Sequence, residues 1–181
     1  MVSGTCQFTK FIMNFLFWNC RGDENNGFCT VVHDMRRLYK CNILAIVEPR
    51  VSGVRADRII EKLRFESHFR VEAQGMSGGI WLLWNKSRVN IKILNYSQHN
   101  IHGIVNEGMN DLWMFTVVYA NPNVILKKQC FNEVVQLTSN IRKPCMVIGD
   151  FNEILMATEK IGGAEVDHHR IARFAKWVQE C

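Results

Sequence analysis

The sequence predicts two β-sheets packed face to face with helices on their outer sides, and three observations lead there. Short apolar runs alternate with segments of helical spacing in the order β-α-β-α, then a group of strands, then α-β-α. Four strand-like runs joined by short polar connections fill the stretch from Ile80 to Tyr119, which suggests antiparallel hairpins and fits a single doubly wound sheet less well. The 181 residues are 48% apolar and 22% charged, with three prolines and no linker-like stretch, so a single domain with its own core is expected. That composition excludes a disordered tail, a collagen-like fibre and a coiled coil.

Phe15 to Trp18 reads as the first strand. The apolar run around it follows Lys10 and superficially resembles a signal peptide. However, Trp18-Asn19-Cys20-Arg21 offers no small-residue cleavage site, and a buried strand explains the same residues. Residues 1–12 read as an N-terminal extension and residues 13–181 as the domain. From Phe28 to Tyr39 the apolar positions follow helical spacing, with Arg36, Arg37 and Lys40 towards the end where the helix dipole favours cations. Ile43 to Val47 is a continuous β-rich run, typical of a strand buried on both faces. Val54 to Phe65 is again helical, and His68 stands near a strand start.

Ser77-Gly78-Gly79 reads as a hairpin entry to the run Ile80 to Trp84, followed by runs at Val89 to Leu94, Ile101 to Val105 and Leu112 to Tyr119. After Asn121-Pro122 a helix is expected over Val124 to Leu137. A short buried strand over Cys145 to Ile148 follows, ended by Gly149, and then an amphipathic helix from about Asp167 to Val178.

The net charge is +5, with basic residues scattered apart from Arg36-Arg37, Lys127-Lys128 and Arg142-Lys143. This surplus is compatible with a polyanionic partner without demanding one. Seven cysteines without a CxxC pair argue for free thiols in a reducing compartment rather than a zinc site or a disulfide framework. No apolar run approaches the ~20 residues that span a bilayer, so no membrane association is expected. The histidines read as surface or structural residues and the five tryptophans as core.

The chemistry-bearing residues stand where buried strands end. Asn19 follows Phe17-Trp18, Glu48 follows Ile46-Val47, Tyr119 ends another run, and Asp150 and Asn152 follow Val147-Ile148-Gly149. Loops diverge at the carboxyl ends of strands and leave a crevice there, and helical crossovers would make these strands parallel and bring their ends together. Taken singly, each has a plainer reading: a solvated loop Glu before proline, an Asx turn, a half-buried tyrosine. Taken together they suit phosphodiester hydrolysis. Glu48 would be a hard oxygen ligand for Mg²⁺, Asp150 would orient or deprotonate a water, Asn152 would donate to a phosphate oxygen, and Asn19 would hold Asp150.

Residues 13–22 (MNFLFWNCRG), Glu48-Pro49-Arg50, Gly78 to Trp84, Val118-Tyr119-Ala120-Asn121-Pro122, and Val147-Ile148-Gly149-Asp150-Phe151-Asn152-Glu153-Ile154-Leu155 resemble the endonuclease/exonuclease/phosphatase superfamily. The likeness is strongest to the apurinic-like endonuclease domain of plant non-LTR (LINE-type) retrotransposons, which Glu159-Lys160-Ile161-Gly162-Gly163 also resembles. The resemblance implies a four-layer α/β sandwich and a Mg²⁺-dependent enzyme (Mn²⁺ being an alternative ion) that nicks DNA in the nucleus, with no obligate protein partner. It assigns Glu48 to the metal, Asp150 to the water, Asn152 and Asn19 to orienting phosphate and Asp150, and Tyr119 to the phosphate. Asn123 is one residue out of step with a further substrate-contacting asparagine.

Two departures stand out. Arg21 occupies a position that is acidic in some members, and the chain ends at Cys181 before the family's closing strands with their aspartate-histidine pair, a role that none of the six histidines here matches. The resemblance therefore implies a fold lacking its last strands, with an uncovered edge, marginal stability and weak or lost activity. Two alternatives stay open: a non-catalytic nucleic-acid-binding relic of a mobile element, and a phosphoesterase acting on another substrate.

Overall fold

The computed structural model describes residues 13–22, 27–74, 78–106, 108–109, 111–163 and 165–181; the expected extension over 1–12 lies outside the described residues. Two four-stranded mixed sheets pack face to face. The first is built from β1 (Phe15–Asn19), β2 (Ile43–Val47), β3 (Ser67–Val71) and β4 (Ile80–Trp84), in the order β1-β2-β4-β3. The second is a run of neighbours, β5 (Ile91–Tyr96), β6 (Asn100–Val105), β7 (Trp113–Tyr119) and β8 (Cys145–Asp150). Helices α1 (Phe28–Leu38) and α2 (Gly53–Lys62) cover the first sheet. The second is covered by α3 (Val124–Thr138) and α4 (His168–Glu180). This is the expected four-layer α/β sandwich.

Strand alternation builds three cores from these layers. On β2, Ile43, Ala45 and Val47 face the second sheet with Ile80, Leu82 and Trp84 of β4, meeting Ile101, Val105, Phe115, Val117 and Tyr119 from across the gap. Leu44, Ile46, Trp81 and Leu83 point the other way, onto Phe28 and Val32 of α1 and Ala56 and Ile60 of α2. Outside the second sheet, Val118 meets Cys130 and Val134 of α3 and Phe174 and Trp177 of α4. The rings of Phe131 and Trp177 stack at 4.4 Å, and the Trp177 indole N–H donates to the Phe131 carbonyl at 2.9 Å.

The hairpin expectation needs one correction. Only β5, β6 and β7 form an antiparallel meander, whereas β4 pairs antiparallel with both β2 and β3. Every residue of β4 is buried, so it takes a central place in the first sheet that an edge hairpin strand would not. Its partner β3 was marked in the sequence only by a start near His68. Its residues Ser-His-Phe-Arg-Val bury fully at Val71 alone. Within each sheet one pair is parallel, β1 with β2 and β7 with β8, and β1 lies against β8 across the sandwich.

Candidate active site

Register brings the expected residues to one pole. The β1–β2 pair runs out at Asn19 opposite Val47, immediately before Glu48, and the β7–β8 pair runs out at Tyr119 opposite Asp150. The Asn19 amide then bridges the sheets: its Nδ2 donates to Asp150 Oδ2 at 2.6 Å and to Glu48 Oε1 at 3.1 Å. The Tyr119 side chain faces Glu48 as well and helps to hold its carboxyl ionised. Asn152 closes the group from beyond β8, its backbone N–H donating to Asp150 Oδ1 at 2.9 Å and its side-chain Nδ2 to the Ala120 carbonyl at 2.7 Å. All five residues picked from strand ends thus meet in one cluster.

The backbone that presents them is unusual. Glu48, Arg50 and Asn152 adopt left-handed conformations, with φ of 55°, 53° and 49°. A non-glycine residue there stores strain that the surroundings must hold in place. The Glu48 turn is pinned on two sides: Gly22 N–H donates to the Glu48 carbonyl at 2.6 Å, while Glu48 N–H and Arg50 N–H donate to the carbonyls of Gly79 and Gly78. A Cβ at Gly78 would come within 2.6 Å of the Glu48 Cα, so only glycine lets the two backbones approach this closely. A Cβ at Gly149 would collide with the Val118 carbonyl oxygen, which excludes any side chain at this position of β8.

The electrostatics favour ionised Glu48. Partial burial pushes its carboxyl up, but the hydrogen bonds from Asn19, Arg50 and Tyr119, together with the Arg50 charge, outweigh this and hold it below its ordinary value. Arg50 donates to Glu48 Oε2 at 2.7 Å. Burial, followed by the Glu48 charge, pushes the Tyr119 hydroxyl well above the ordinary tyrosine range, so it remains a hydrogen-bond donor.

Sequence reasoning missed several neighbours of the cluster. Arg50 carries no signal of its own in the sequence, because its reach to Glu48 depends on the left-handed turn. Gly78, read as a hairpin entry, is a packing requirement of the Glu48 turn. Lys127 is buried on α3 among Cys130, Val134 and Thr138; a lysine on that stripe was the available signal. Asn123, the out-of-step candidate, caps α3 by accepting from the N–H groups of Ile125 and Leu126. His102 is buried with Nδ1 at 2.8 Å from Thr116 Oγ1, a structural pairing.

Two carboxylates that share the Asn19 amide donor make a hard-oxygen set. Mg²⁺ takes one or two carboxylates and keeps several waters, so the donor chemistry fits that ion. Among the described residues no group of three or more His, Cys, Asp or Glu side chains is placed to hold a metal, so an all-protein cage is not what this set offers. No helix among the described residues is long and apolar enough to cross a membrane.

No protein-family model and no curated protein sequence matches the chain. Solved structures do. The endonuclease domain of TRAS1, a telomere-specific non-LTR retrotransposon, superposes with a TM-score of 0.66 at 14% identity, covering 92% of this chain and 70% of that one. A humanized D. rerio TDP2 carrying 14 mutations superposes with a TM-score of 0.60 at 12% identity, covering 90% and 70%. A protein of the endonuclease/exonuclease/phosphatase family from Leptotrichia buccalis C-1013-b gives 0.53 at 13% identity, covering 78% and 67%. At such identities the likeness is one of fold: the chain shares its two-sheet α/β sandwich with these proteins, the last of which is an endonuclease/exonuclease/phosphatase family protein.

Proposed function

We propose that residues 13–181 form a divalent-metal-dependent phosphodiesterase domain of the DNA-endonuclease type, akin to those of plant LINE-type retrotransposons and working on nuclear DNA. The observation that carries this reading is the Asn19 amide bonded at once to Glu48 on one sheet and Asp150 on the other. Glu48, with Asp150 beside it, would hold Mg²⁺ or Mn²⁺, which when bound would supply Lewis-acid stabilisation of the phosphate charge. The chain's own residues do the rest. Asp150, fixed by Asn19 and by the Asn152 N–H, orients and deprotonates a water. One Asn152 side-chain N–H is engaged by Ala120, and the second donates to a phosphate oxygen. Tyr119, kept protonated, turns its single O–H from Glu48 to the phosphate when substrate enters. The expected turnover is low, because the assembled set contains no imidazole to neutralise the phosphate.

Plasmid nicking tests this. The purified protein is expected to nick supercoiled DNA slowly in Mg²⁺, and Asp150→Ala is expected to lower the rate at least about 100-fold. Equal rates for the two proteins would refute the assignment.

A second reading, DNA binding without turnover, is favoured by the Glu48–Arg50 ion pair, which already neutralises the carboxylate that a metal would need. It predicts salt-dependent DNA affinity that Glu48→Ala and Asp150→Ala leave unchanged.

A further inference from the structure

Behind the cluster lies a second polar group that the proposed chemistry does not use. Lys127 of α3 is buried with 6% of its side chain exposed, and Glu153 is 11% exposed. Lys127 Nζ donates to Glu153 Oε1 and to the Asn152 backbone carbonyl, both at 2.8 Å. Arg170, near the start of α4, takes the other side: its guanidinium lies 2.9 Å from Glu153 Oε2, and NH2 also reaches the Asn152 carbonyl at 3.4 Å.

A lysine this deep requires a carboxylate, and charge balance alone would be met by Glu153. The geometry goes further, because both cations converge on the carbonyl of a residue held at φ 49°. The N–H and side-chain amide of that residue meanwhile tie Asp150 to Ala120. Released from the clamp, Asn152 would relax towards an ordinary backbone conformation and carry both bonds away from the ends of β7 and β8.

We infer that Lys127, Glu153 and Arg170 are positioning residues that lock the Asn152 turn, so that α3 and α4 set the geometry of Asp150 and Asn152. As a statement about catalysis this rests on the phosphodiesterase reading; as a statement about the turn it does not.

The test therefore has two arms on the full chain. Amide hydrogen exchange at Asn152 is measured by NMR in the wild type, Lys127→Met, Glu153→Gln and Arg170→Gln. The exposed Arg170 site, at 48%, keeps the test available where the buried substitutions fail to fold. Exchange at Asn152 is expected to speed up about tenfold while Val105 and Phe115 in the core keep their protection. Arg170→Lys, which retains the charge, is expected to match the wild type. In the kinetic arm, kcat for nicking is expected to fall about tenfold with KM unchanged. Unchanged exchange at Asn152, or acceleration spread evenly over the core, overturns the inference. Local release of Asn152 in a protein whose wild type cleaves no phosphodiester upholds the positioning claim and removes only the phosphodiesterase reading.

Discussion

Asn19 is the residue on which the cluster turns, since one amide nitrogen serves two carboxylates that would otherwise repel each other. Asn19→Ala is expected to destabilise the protein by about 1–3 kcal/mol, seen as a lower urea midpoint, because two part-buried acceptors lose their shared donor. The Glu48 carboxyl carries a pH signature. Its folded value lies below the ordinary 4.5, so its stabilisation is present above 4.5 and is lost as pH falls through the folded value. Wild type should therefore lose stability relative to Glu48→Gln as pH drops below 4.5, and parallel urea curves for the two proteins on that descent would show the assignment wrong. Glu48, Tyr119 and Asp150 were legible because each stands directly at the end of an apolar run, where chain order alone puts a polar group at a strand terminus. Arg50 was not, since its ion pair with Glu48 two residues away is made where both residues stand in left-handed backbone on either side of Pro49. Lys127 was hidden for the opposite reason: its charge reads as a solvated helix residue until α4 supplies Arg170 and β8 supplies the turn around Glu153.

At the level of elements, the site depends on two places where strands come unusually close. Gly149→Ala forces a Cβ against the Val118 carbonyl and is expected to destabilise by about 1–3 kcal/mol, read from thermal unfolding, as β8 shifts away from β7. Gly78→Ala acts on the Glu48 turn instead. It is expected to lower metal affinity more than stability, a split that titration of Mn²⁺ alongside urea unfolding resolves. Elements with a strong period were legible: β2 appears with the bounds read from Ile43 to Val47, and α3 begins at Val124 as expected. The grouping of strands was not. The run at Ile80 to Trp84 has the same local signature whether its partner is the next strand or β2, and only the unpaired side of β2, which β4 fills, decides. Edge strand β3 alternates polar and apolar residues only from His68 to Val71, a stretch at the lower limit of what the pattern can mark as a strand.

For the whole molecule, the face between the sheets is what ties the two halves of the site together. Phe115 is fully buried there, and its ring lies 5.8 Å from that of Phe15 on the opposite sheet. Phe115→Ala is expected to cost about 3–5 kcal/mol, with far-UV and near-UV circular dichroism still unfolding in one shared transition. Separate transitions would mean that the sheets are independent units and that Asn19 and Asp150 are not held by a common core. The four layers were legible as a class from the order of elements, while the joining of β1 to β8 across the sandwich is a long-range contact that no local pattern encodes. The most direct measurement of the central claim is the amide NMR spectrum during titration with substoichiometric Mn²⁺. The signals of Asn19, Glu48 and Asp150 should broaden before those of Phe15, Ile43 and Cys145 at the far ends of the same strands, and Glu48→Gln should suppress the effect. Broadening centred elsewhere, or undiminished in Glu48→Gln, would contradict a divalent-ion site at the meeting of the two sheets.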